Sequence, residues 1–185
     1  LVSLYPKNTE IAYLSSKASY YKAVGLEELE NIQDAFHCYL KSLEVLDNTY
    51  LNKKIINNKL YNEILHFKAL IYTRLGDLLY WHDVYDAAIE CITNANNLFV
   101  LENNQNALSR NNIILAVIYG LNLNHDKALY HLSIADSILE INNVDVLLKN
   151  DIERIKASVM YNIGYKEEAF NSILKQYKTL EHPNQ

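Results

Sequence analysis

Residues 124–139 read NHDKALYHLSIADSIL, and they decide the fold. Ala128 and Ala135 stand seven residues apart, with Leu129, Leu132 and Leu139 around them. A seven-residue spacing returns to the same side of a helix. The two alanines therefore form a shallow seat that another helix can approach closely.

The seat recurs when Ala128 is taken as an anchor. Ala35, Ala88 and Ala169 begin equivalent stretches, with Ser42, Ala95 and Gln176 seven residues on. Twelve residues before the anchors stand Ala23, Gly76, Ala116 and Ala157, all small. Large residues fill the positions between: Phe36, Ile89, Leu129 and Phe170 one after the anchors, and Tyr39, Ile92, Leu132 and Ile173 four after. Leu46, Phe99, Leu139 and Leu180 follow eleven after, and Leu26, Leu79, Tyr119 and Met160 stand nine before. Each unit thus reads as a first helix with one small site and a second helix with two, except that Gln176 replaces the second small residue in the last copy. Pairs of this kind stack so that each buries its neighbour's face.

Composition supports an all-helical chain. Of 185 residues, 50% are hydrophobic, only four are glycine, and the two prolines, Pro6 and Pro183, lie near the ends. Apolar period and capping residues predict helices near 8–25, 31–47, 51–81, 84–101, 105–122, 125–141, 144–163 and 165–180. Thr9, Asp83 and Asn124 are the expected helix starts, since their side chains accept from free first-turn amides. Asp34, Asp86, Asp126, Glu167 and Glu168 suit the positive ends of the second helices.

The small and large spacing, with LGDLLYWHDVYDAAIECITNA as its best copy and GYKEEAFNSI as another, resembles the tetratricopeptide repeat. Gly76, Tyr85, Ala88 and Ala95 stand where its signature places them. The resemblance spans roughly residues 8 to 180 and implies a right-handed superhelix of about four antiparallel helix pairs, eight helices in all. The expected units are 8–47, 51–101, 105–141 and 144–180, within one domain over 1–185. Anchors lie 53, 40 and 41 residues apart, against about 34 for the family. Longer helices are therefore expected, with the stretch around DNTYLNKKIINNKL extending the third helix at its start. LVSLYP reads as the severed end of a preceding unit, and the polar residues of 165–180 read as a C-terminal cap.

Charge and motifs narrow the function. A net charge of −5 disfavours nucleic acid, whose phosphates need a basic face; NKKIINNK is the one basic stretch. No apolar run is long enough to span a bilayer, and a cytoplasmic location is expected. Cys38 and Cys91 lack metal or disulfide-framework spacing and read as small buried hydrophobes. No phosphate-cradling loop or nucleophile elbow occurs, so no enzyme, cofactor or metal is expected. EILH, residues 63–66, has the Glu-x-x-His spacing of a di-iron ligand pair but no second copy. His82, Asp83 and Asp86 read as a capped turn. His131 shares its repeat offset with Cys38 and Cys91, which indicates packing. Fifteen tyrosines against four phenylalanines suit seams and grooves, where a ring is buried and its hydroxyl stays wet.

What remains is binding by shape. In the family the first helices line a concave face, and the resemblance carries that role to Lys17 and Tyr20; to Thr73, Asp77, Tyr80 and Trp81; to Arg110, Ile113 and Val117; and to Arg154, Ser158, Tyr161 and Asn162. Such a face suits an extended peptide or a partner helix. The expectation is a non-enzymatic scaffold for protein or peptide within a larger bacterial regulator. Two rivals are a small-peptide sensor controlling an output domain and a helical metal enzyme.

Overall fold

The computed structural model describes residues 5–50, 58–141 and 146–181. Eight helices and no strand occur among them: α1 (Tyr5–Glu28), α2 (Ile32–Tyr50), α3 (Asn58–Trp81), α4 (Tyr85–Leu101), α5 (Gln105–Leu121), α6 (His125–Ile141), α7 (Val146–Asn162) and α8 (Lys166–Glu181). Each odd-numbered helix packs on its successor, giving four helix pairs. Two compact units result, Leu1–Asn103 and Asn104–Gln185.

Every anchor is buried, as are Ala23, Gly76, Ala116 and Ala157 on the first helices. Close approach is the reason. At Gly76 an added Cβ would lie 2.4 Å from Ile92 Cδ1, so even a methyl group is crowded there. A further small position lies nineteen residues before each of the first three anchors, at Ser16, Ala69 and Ser109, all fully buried. Ser16 and Ser42 each donate a hydroxyl proton to the other's carbonyl at 2.9 Å, holding α1 against α2. Ser109 repeats the contact more loosely, reaching the Ala135 carbonyl at 3.4 Å. These hydroxyls satisfy themselves inside a helix seam, where an unpaired one would be costly.

The turns inside the pairs share one geometry. Glu30, Asp83, Leu123 and Gly164, each five residues before an anchor, adopt positive φ of 59°, 61°, 56° and 101°. The amide that follows each donates to the carbonyl of Leu26, Leu79, Tyr119 or Met160. This is the left-handed helix ending that satisfies otherwise free carbonyls. Asp83 is therefore the reversal residue and not the cap of α4; Val84 stands at the N-cap and makes no side-chain capping bond. Asn124 does cap α6, accepting from the Lys127 amide at 3.3 Å. Thr9 lies inside α1, which begins at Tyr5.

Residues 47–50 belong to α2, and α3 starts at Asn58; the extension expected over 51–57 lies outside the described residues, as does the LVSL of the opening stretch. In the first unit, Tyr13, Tyr39, Leu43, Leu46, Ile64, Phe67, Ile71 and Leu75 form the core. In the second, Ile113, Leu132, Val159 and Ile163 gather around Ala116, Ala128 and Ala135. The polar outer side expected of α8 is not what is found: Phe170 is 64% exposed, and Ile173, Leu174 and Tyr177 are exposed beside it. Lysines and Gln176 share that helix, but the repeat-equivalent apolar residues Phe170 and Ile173 face solvent.

Candidate functional site

A groove of about 940 Å³ opens in the first unit between α1, α3 and the end of α4. Tyr13, Lys17, Tyr20 and Tyr21 of α1 form one wall, and Glu63, His66, Phe67 and Leu70 of α3 the other. Leu101 and Glu102 close one end. The rings interlock: Tyr20 lies 5.1 Å from Phe67, 5.3 Å from Tyr21 and 5.6 Å from Tyr39, while Tyr13 meets Phe67 edge-on at 5.8 Å. Lys17 Nζ rests 4.5 Å from the centre of the Tyr13 ring, a placement the ring's negative face favours.

Polar groups are fixed around this aromatic floor. Tyr39 is fully buried, and its hydroxyl donates to Glu27 at 2.9 Å. Burial, followed by that carboxylate, raises the Tyr39 pKa far above its ordinary value. His66 Nδ1 lies 2.8 Å from Glu102 Oε2. The EILH pair is thus divided: both Glu63 and His66 line the groove, and His66 turns to Glu102. Among the described residues, no group of three or more His, Cys, Asp or Glu is placed to hold a metal.

Of the sequence-derived groove residues, Lys17 and Tyr20 line this groove. Thr73, Asp77, Tyr80 and Trp81 lie further along α3, past the groove's edge. Trp81 is 76% exposed and leans against Tyr80 at 5.2 Å. Its emission is expected at the long-wavelength, water-exposed limit; a blue-shifted spectrum would contradict this placement. In the second unit, Arg110, Arg154, Ser158, Tyr161 and Asn162 are exposed, and Val117 is half-buried against the core. Ile113 is corrected from groove to core: it is 2% exposed, and packing occupies its side chain.

Sequence reasoning missed Tyr13, Tyr21, Phe67 and Glu102. The offsets came from a shorter repeat, whereas α1 and α3 are each 24 residues long. Asn62 and Glu63 lie in the added first turns of α3, whereas the α1 residues of the groove lie from the middle of that helix onwards. Glu63 and His66 were noticed for their spacing, which was the one available signal.

The second unit holds a smaller polar cluster. His131 stacks on Tyr119 with centroids 5.3 Å apart, and its Nδ1 donates to Asn112 Oδ1 at 2.8 Å. Asn112 in turn donates to the Leu108 carbonyl, and Lys127 Nζ lies over Tyr119 at 4.9 Å. Burial first, then the Lys127 charge, lowers the His131 pKa below its ordinary 6.5. The unfolded chain therefore takes up the proton before the folded one, so stability should fall as pH drops through about 6.5. His131→Gln, which keeps a donor for Asn112, should flatten that part of a melting-temperature against pH profile. An unchanged slope would assign the dependence elsewhere. Cys38 and Cys91 pack beside the first core, and burial pushes the Cys91 thiol up to about 11, away from nucleophilic reactivity.

No protein-family model matches the chain, and no curated protein does. A solved structure titled "Crystal structure of MamA protein" is similar to it, with a TM-score of 0.46 and 18% identity over 91% of this chain and 93% of that one. The helix-pair fold rests on this chain's own seats and turns. No helix among the described residues is long and apolar enough to cross a membrane.

Proposed function

We propose that the chain is a non-enzymatic scaffold of the tetratricopeptide type that binds a protein or peptide segment, as part of a larger bacterial regulator. The observation that carries the reading is the first-unit groove, whose floor is aromatic and whose rim is polar. Aromatic side chains supply apolar contact area at low cost in side-chain entropy. Its volume of about 940 Å³ matches several side chains of an extended segment or one face of a helix.

The test is a display library of random peptides selected on the whole chain. Tyr21 is 66% exposed and Leu101 68%, so Tyr21→Ala with Leu101→Asn alters the groove without disturbing the core. Selected peptides are expected to lose binding to that double variant. Trp81→Ala provides the comparison: peptides sensitive to Trp81 alone would move the site along α3 to the sequence-derived face. Peptides indifferent to both would end the groove reading.

A further inference from the structure

We propose that the groove takes an arginine side chain from its partner segment, held by the Glu102 carboxylate; this rests on the peptide-binding reading and names the partner's chemistry. Three features of the groove call for a cation. The first is an incomplete hydrogen-bond set. Glu102 is 14% exposed at its side chain; His66 engages Oε2, while Oε1 is buried with no hydrogen-bond partner. A buried carboxylate oxygen without a donor is costly, and a guest N–H group met by a turn of the carboxylate into the groove it lines would remove that cost.

The second feature is the helix end itself. Glu102 is the C-terminal cap residue of α4, and no basic residue stands in the last turn. A helix C-terminus carries partial negative charge, so a carboxylate is unfavourable there and a cation favourable. The third is aromatic: Tyr20 and Tyr21 of the α1 wall offer ring faces and edges within the same groove. Guanidinium groups stack on such rings while their N–H fork meets a carboxylate, which a compact ammonium does less well. Lys17 does not serve this purpose, because its Nζ already sits over two other rings of the groove, 4.5 Å from the centre of Tyr13 and 5.8 Å from that of Phe67. The chain's net charge of −5 adds a long-range bias towards basic segments.

The test uses the peptides selected above whose binding depends on Tyr21 and Leu101. They are expected to share an arginine. Replacing that arginine by citrulline keeps the shape and removes the charge, and should weaken binding about ten-fold or more, the usual worth of a charged hydrogen bond. Glu102→Gln should weaken the arginine peptide similarly and leave the citrulline peptide unchanged, so that the gap closes. Since citrulline is placed in the peptide, the central comparison uses the unaltered chain. Groove-binding peptides without arginine, or with equal affinity after citrulline replacement, would overturn the proposal and leave the groove reading standing. If no selected peptide depends on Tyr21 and Leu101, both fall together.

Discussion

Tyr39→Ala is expected to destabilise the first unit by about 3–5 kcal/mol, the range for deleting a buried aromatic ring. Tyr39 is fully buried between the first two helices and joins the core containing Leu43, Leu46 and Leu75. It fills the space beside Ala23, where only a small neighbour allows a ring. It also backs the groove, since Tyr20 packs on it at 5.6 Å. Removal thus opens a cavity, frees Tyr20, and strips Glu27 of its 2.9 Å donor. Tyr39→Phe isolates the last effect and should cost about 1–2 kcal/mol. Urea unfolding followed by circular dichroism measures both. With total stabilities of about 5–15 kcal/mol, the alanine variant should approach the limit of folding. A midpoint close to that of the parent would mean that the ring is not packed as described.

Gly76→Ala should destabilise by roughly 1–3 kcal/mol, although alanine is the better helix former. In an open helix the same change would gain up to about 1 kcal/mol, so the sign alone is diagnostic. The new Cβ would meet Ile92 at 2.4 Å and 2.6 Å, at Cδ1 and Cγ1, and Ile92 is itself fully buried. In the fourth pair Ile173, at the same offset from Ala157, is 50% exposed and has room to move; the first and third pairs set Ala23 with Tyr39 and Ala116 with Leu132. Both partners there are unbranched at Cβ and can swing away from the approaching helix. Ile92→Leu should therefore absorb much of the damage when combined with Gly76→Ala. A double-mutant cycle is expected to show coupling of about 0.5–3 kcal/mol. Strict additivity, or stabilisation by Gly76→Ala alone, would exclude the crowding.

The register behind both predictions was legible because close helix approach restricts residue size. Alanine, glycine or serine must recur wherever backbones come nearest, and that recurrence survives in a single sequence. The turn geometry left no comparable trace. Glu30, Asp83, Leu123 and Gly164 share a left-handed conformation yet have nothing chemical in common. Their conformation follows from the bonds made by the next amide and from the helices on either side. In the sequence alone Asp83 therefore reads as a helix cap, a role its side chain suits in isolation.

The sequence by itself determined that the chain is helical, that its helices pair four times, and which small residues lie in the seams. Those properties depend on spacing within one or two helices. Tertiary structure alone decided which polar groups meet. His66 and Glu102 are 36 residues apart, and no local rule joins α3 to the end of α4. It likewise decided that Ile113 is core while Trp81 is exposed, because burial depends on what the rest of the chain places opposite each face. The groove belongs to this second class: its residues share neither a motif nor a period, and come together only where the lengthened first helices pass the end of α4.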